Sequence, residues 1–275
     1  MAFRNQRSRV ALAAVAGFIA VSASAHADAP KPSFADKGEL VVCTDATFPP
    51  MEFFEAAGEQ KPVGYDIDLA EALAEHWGLK PRVVVSDFTG LLPGLEAQRC
   101  DAVISGILVT PERTKTYDAA PYLGTALVVF TSAKSDLAIA DPADLSGKVV
   151  AVQAGTHYVE ELEKVSAKLK AEGKDEISIQ TYPKQTDVIQ QVLVGRAAAA
   201  VSQDTELAYR ELQHPGQLKI VYAFPGHDTF GVYLRRNGGD KQAVATALSA
   251  LAGNGALKSI TEKWHLSPGA IAAGE

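Results

Sequence analysis

The chain predicts an α/β protein of two lobes, each a mainly parallel sheet flanked by helices, joined by two crossovers. Three observations lead there. Short apolar strands alternate with amphipathic helices from residue 39 to about residue 116 in the order βαβαβα, which implies a parallel sheet. The same alternation starts afresh after residue 125 and yields a second βαβ unit. The closing segment, a strand DTFGVYLRRN and two short helices, is too small to stand alone and is expected to return to the first lobe.

The elements follow in order. Arg4, Arg7 and Arg9 precede an apolar run from Val10 to Val21, and small residues then lead to Ala27, the pattern of a cleavable secretory signal over 1–27. The run is too short for a membrane span, and nothing downstream is long and apolar enough to be one, so an exported, soluble chain is expected. ELVVCTD (39–45) reads as a buried strand. DIDLAEALAEHWG places Ile67, Ala70, Leu73, Ala74 and Trp77 on one helical face, stopped by Gly78. PRVVVSD is a second strand, GLLPGLEAQR a second helix, and CDAVISG a third strand leading to the TPER helix. In the second lobe TALVVFTS and GKVVAVQAG are strands, THYVEELEKVSAKLKAEG a helix, ISIQTYP a strand, and QTDVIQQVLVGR a helix entering AAAAVSQ. Two helices near Gln242–Leu251 and Leu257–Trp264 close the chain. Crossovers near 125–131 and 222–231 give a first lobe of 28–127 plus 225–275 and a second of 128–224.

Composition narrows the functions. With 47% hydrophobic and 21% charged residues the chain is globular throughout. Removal of the three leader arginines takes the formal charge of −7 three units further negative, which argues against nucleic acid or an anionic membrane as partner. Two cysteines, Cys43 and Cys100, exclude a disulfide-dense scaffold and a CxxC site. An exported chain permits a bridge between them, but both sit beside strands expected to be parallel, so the sequence leaves the bridge open. No GxSxG, Walker loop or post-strand GxGxxG is present, the histidines show no ligand spacing, and no cofactor or metal is expected.

In two-lobed α/β proteins ligands bind where strand carboxyl ends face the crevice. TDATFPP follows the first strand, where two prolines hold Phe48 on a stiff loop; SDF follows the second and offers Phe88. The two rings either flank a ligand or belong to the core. After the third strand, Thr110 caps a helix, Pro111 takes its first position and Arg113 falls in the first turn, where the helix dipole disfavours a cation. Arg113 therefore reads as a bidentate carboxylate clamp, or else as a surface residue paired to Glu112 or Asp118. QAGTHYVEEL repeats the arrangement in the second lobe, with Gly155 permitting close approach and Thr156 at a helix start.

These residues resemble bacterial extracellular solute-binding proteins of family 3, the amino-acid-binding components of ABC importers. The likeness runs through TDATFPPMEF, GYDIDLAEALAEHWG, DFTGLLPGLEAQRCDAVISGILVTPERTKTYDAAPY, GKVVAVQAGT, GRAAAAVSQDT and EKWHL. It implies a two-lobed periplasmic-binding-protein fold (type II) that closes on ligand and docks on an inner-membrane permease, with monomer the expected state. It also implies that Arg113 clamps the ligand's carboxylate with help from Thr110 and Thr156. Phe48 and Phe88 then flank the side chain, Ser105 or Gly106 offers a carbonyl to the amine, and Asp45 faces a distal cation where the ligand has one.

Two positions depart from that pattern. Leu108 replaces a hydroxyl residue that receives the ligand's ammonium, and an ungapped match puts Gln203 where an aspartate pairs with it. A one-residue insertion in the alanine run would instead bring Asp204 there. Without a carboxylate a buried ammonium is costly, by several kcal/mol, so the first register favours a ligand without an α-amine. The second function weighed is an enzyme on the same scaffold, similar to cyclohexadienyl dehydratase, with Glu206 as its acid; Glu206 is otherwise expected to be a solvated helix residue.

Overall fold

The computed structural model describes residues 1–2, 30–236 and 239–273; apart from residues 1–2, the expected leader lies outside the described residues. The first lobe is a five-stranded sheet. Its members are β1 (Glu39–Thr44), β4 (Lys80–Val85), β5 (Ala102–Val103), β6 (Tyr117–Thr125) and β12 (Asp228–Arg235), in the order β4-β1-β5-β12-β6. A two-residue ribbon of β2 (Thr47–Phe48) and β3 (Glu52–Phe53) stands beside it. The second sheet contains β7 (Leu127–Ser132), β8 (Val149–Gln153), β9 (Ser178–Tyr182), β10 (Ala199–Gln203) and β11 (Leu218–Ala223), in the order β11-β7-β10-β8-β9.

Helices cover both sheets: α1 (Tyr65–Trp77), α2 (Leu91–Glu96), α3 (Pro111–Thr116), α7 (Asp240–Gly253) and α8 (Ala256–Lys263) in the first lobe, and α4 (His157–Ala171), α5 (Gln185–Leu193) and α6 (Asp204–Gln213) in the second. The periodic face of α1 is the buried one: Ile67, Ala70, Leu73, Ala74 and Trp77 are each at most 8% exposed.

The sheets differ from expectation where the chain changes lobes. β1 runs parallel to β4 and β5, and β8 parallel to β9 and β10, as βαβ connections require. β12 is antiparallel to β5 and β6, and β7 to β10 and β11, because the crossing chain enters each lobe from the other. β6 is absent from the sequence reading. Pro121 sits in it and argues against a central strand, but β6 is the sheet edge, where a missing donor is tolerated.

The first lobe's core contains an aromatic column that ends at the cleft. Tyr65 stacks on Tyr122 at 5.8 Å, Tyr122 on Phe230 at 6.2 Å, and Phe48 meets Phe230 edge-on at 6.2 Å. Asp66, fully buried at the start of α1, accepts from the Tyr122 hydroxyl at 2.7 Å and from the Gly106 N–H at 2.6 Å, tying the column to the loop after β5. Cys43 and Cys100 form a disulfide with Cα atoms 5.7 Å apart. The short β5 leaves Cys100 ahead of the strand, so parallel pairing does not oppose the bridge.

Candidate functional site

A narrow pocket lies between the lobes, lined by Phe48, Glu52, Phe88, Ser105 and Gly106 from one side and Gln153, Thr156 and Tyr158 from the other. Three hydrogen bonds cross it. The Gln153 carboxamide at the end of β8 donates to Asp45 at the end of β1 and, at 3.2 Å, to the Pro183 carbonyl of its own lobe. Arg113 Nη2 donates to the Gly155 carbonyl at 3.2 Å, and the Gln185 N–H to Thr47 Oγ1 at 3.3 Å.

Arg113 lies beside pocket-lining Phe88. Thr110 caps α3, its hydroxyl accepting from the Arg113 N–H at 3.3 Å. Nη1 donates to the Leu108 carbonyl at 3.0 Å, and the guanidinium carbon lies 5.8 Å from the centre of the Phe88 ring. The surface alternative does not form: Glu112 pairs with Lys115, and Asp118 lies 3.7 Å from Arg236. Among the described residues no carboxylate is within ion-pair distance of Arg113, and burial pulls its pKa below the ordinary guanidinium value. A half-buried cation with no carboxylate partner has charge left over to pair with an anion.

Acidic groups gather on the opposite wall. Asp45 is buried and accepts from Gln153 and, at 3.1 Å, from Thr47, while burial still pushes its carboxyl up to about 6. Ser105 Oγ accepts from the Asp45 N–H at 2.8 Å and donates to Glu52 at 3.0 Å, so this hydroxyl is engaged within the first lobe. Burial first, and then the neighbouring Asp66, hold Glu52 well above the usual carboxylate range, and burial pushes Asp66 itself up to about 6.

Two glycines permit the closeness. Gly106 has φ +47°, and a Cβ there would lie 2.7 Å from the Phe48 ring; Gly155 has φ +77°, and a Cβ would lie 2.9 Å from Thr89 Cγ2 of the facing lobe. Thr156 occupies the N-cap position of α4, but its hydroxyl donates to the Gln153 carbonyl at 2.7 Å rather than capping the helix.

The model of the bacterial extracellular solute-binding proteins, family 3, matches residues 40–267. The chain belongs to that family. It is similar to the L-cystine-binding protein TcyJ of Escherichia coli (strain K12), 27% identical over 231 residues that cover 83% of each chain. The arginine-binding extracellular protein ArtP of Bacillus subtilis (strain 168) is 29% identical over 254 residues, 91% of this chain and 95% of that one. Among solved structures, the ancestral amino acid-binding protein AncCDT-1, a precursor of cyclohexadienyl dehydratase, superposes with a TM-score of 0.74 at 28% identity, covering 84% of this chain and 97% of that one.

Within this family 3 frame, the structure brings Phe48, Phe88, Ser105, Gly106 and Thr156 to one pocket, with Asp45, Thr110, Arg113 and Gly155 at its edge. Leu108 contributes a carbonyl, while its side chain is buried in the core. Gln203, at the end of β10, is fully buried and bonded to the hydroxyl of pocket-lining Tyr158. Asp204 is elsewhere. Its Oδ1 accepts from Thr125 Oγ1 at 2.8 Å and from the Ala126 N–H at 3.0 Å, so it fastens the first crossover. Glu206 departs from the expected solvated position: it is fully buried, bonded to Ser202 at 2.6 Å and Gln185 at 2.7 Å and paired with Arg210 at 2.7 Å.

Glu52, Gln153 and Tyr158 are site residues that sequence reading did not single out. The signal for Glu52 is an acid within the apolar run FPPMEFF, and for Gln153 its place at a strand's end. Among the described residues no group of three His, Cys, Asp or Glu side chains is arranged to hold a metal, and no helix is long and apolar enough to cross a membrane.

Proposed function

We propose that this chain is the periplasmic solute receptor of an ABC importer, capturing a small carboxylate, an amino acid or a close relative, between its lobes for delivery to an inner-membrane permease. Arg113 carries the reading. It is a half-buried guanidinium beside pocket-lining Phe88, with carbonyl partners and no carboxylate within ion-pair distance among the described residues. A ligand carboxylate supplies the missing charge, Phe48 and Phe88 flank the ligand's body, and Asp45 meets a cationic far end where there is one. The names of the relatives, cystine- and arginine-binding, agree with such a ligand. Residues 1–27 serve as the export signal, residues 28–127 with 225–275 form one lobe and 128–224 the other, and the receptor works as a monomer.

A binding role rather than a catalytic one is supported by Glu206. Its carboxylate oxygens are engaged by Ser202, Gln185 and Arg210 inside the second lobe, so Glu206 is not free to act as the acid in the cleft. Titration calorimetry of the mature chain against carboxylates tests the proposal, with saturable heat expected for the wild type. Incubation with prephenate or arogenate, followed by absorbance of the aromatic product, tests the enzyme; turnover would overturn the binding role.

A further inference from the structure

We propose that Tyr233 is the positioning residue of the carboxylate clamp: its hydroxyl, on the strand that returns from the second lobe, holds the Arg113 guanidinium and the loop before α3 in the geometry that receives a carboxylate. This inference rests on the carboxylate-binding reading above and concerns how the clamp is set before a ligand arrives.

Arg113 extends from a helix of only six residues, and the support for it comes from β12. The Val109 N–H donates to the Thr229 carbonyl at 2.8 Å and the Gly231 N–H to the Ile107 carbonyl at 3.0 Å, so residues 107–109 lie along β12. The two segments run close: a Cβ at Gly231 would stand 2.5 Å from Val109 Cγ2. Two residues on, Tyr233 is fully buried, its ring in one apolar cluster with Val103, Ile107 and the bridged Cys43 and Cys100.

The phenol's polar end serves the clamp. Its hydroxyl donates to the Leu108 carbonyl at 2.7 Å and accepts from the Thr110 N–H at 3.4 Å, and the guanidinium stands beside the same oxygen. The Leu108 carbonyl also accepts from Arg113 Nη1 at 3.0 Å, so phenol and guanidinium share one acceptor. Burial pushes the phenol's pKa up, which keeps it a neutral donor. With Nη1 fixed here and Nη2 donating to the Gly155 carbonyl at 3.2 Å, the plane of the guanidinium is set. A side chain locked by its neighbours loses little freedom on binding, and the phenolic oxygen supplies that lock.

A double-mutant cycle tests the assignment. Calorimetry of the mature chain against the amino acids and their 2-oxo and 2-hydroxy acids is run for wild type, Tyr233→Phe, Arg113→Lys and the double variant. Tyr233→Phe keeps the ring and removes the oxygen. It is expected to weaken carboxylate binding at least about tenfold beside Arg113, and less than about twofold in the Arg113→Lys protein, whose ammonium lacks the guanidinium's fork. Equal loss in the two backgrounds would make Tyr233 a packing residue and overturn the inference, as would no loss in either; both leave the receptor reading standing. Nitrogen-15 NMR of the wild type adds an arm that needs neither ligand nor variant. Rotation of the Arg113 guanidinium is expected to be slow, and free rotation overturns the inference. No heat from any carboxylate removes the receptor reading, and this inference with it.

Discussion

Truncating Arg113 and truncating the two aromatic rings should have separable effects. Arg113→Ala removes the pocket's cation and is expected to cost on the order of 2–5 kcal/mol of carboxylate affinity, read by calorimetry, with little change in melting temperature. Phe48 is buried and closes the aromatic column, so Phe48→Ala is expected to lower stability by about 3–5 kcal/mol in urea unfolding. Phe88 is half-buried beside the guanidinium, and Phe88→Ala is expected to cost about 1–3 kcal/mol of binding while leaving the unfolding midpoint nearly unchanged. Arg113 was legible because its cap and first turn are written in adjacent residues. Glu52, Gln153 and Tyr158 were not, because their partners lie 53, 108 and 45 positions away and only the packed lobes bring them together.

Elements repeat the division between local and distant information. The α1 face and the strands of each βαβ unit follow from periodicity within a dozen or so residues. β6 does not, since Pro121 is acceptable only at an edge and nothing local says that β6 is one. The loop between β8 and α4 carries a test at this scale. A side chain at Gly155 would be strained by its φ and would press on Thr89, so Gly155→Ala is expected to hold the lobes apart. Small-angle scattering should then give a larger radius of gyration at saturating ligand than for the wild type, with weaker binding. The disulfide ties β1 to the start of β5 across 57 residues, and replacing both cysteines by serine is expected to cost about 2–4 kcal/mol in urea unfolding.

For the molecule as a whole, the acidic wall makes stability depend on pH. Asp45 and Asp66 titrate near 6 when folded and near 3.8 ordinarily. Below about pH 4 both states hold these protons; as pH rises toward 6 the unfolded chain releases them first, so this contribution to stability falls and then levels off. Asp45→Asn is expected to make the fall between pH 4.5 and 7.5 smaller by on the order of 2 kcal/mol in urea unfolding. The two-lobed plan itself was readable from alternation alone, whereas the contacts that join the lobes were not.

A carboxylate held by Arg113 is expected to bind between the lobes. The most direct test is the thermal unfolding of the mature wild type and of Arg113→Ala with and without a panel of amino acids and their deaminated acids. A ligand at 100 times its Kd is predicted to add about 2.7 kcal/mol to the wild type, raising its melting temperature, and to add less than about 1 kcal/mol to Arg113→Ala. An equal rise in both proteins, or no rise with any carboxylate, would contradict the account.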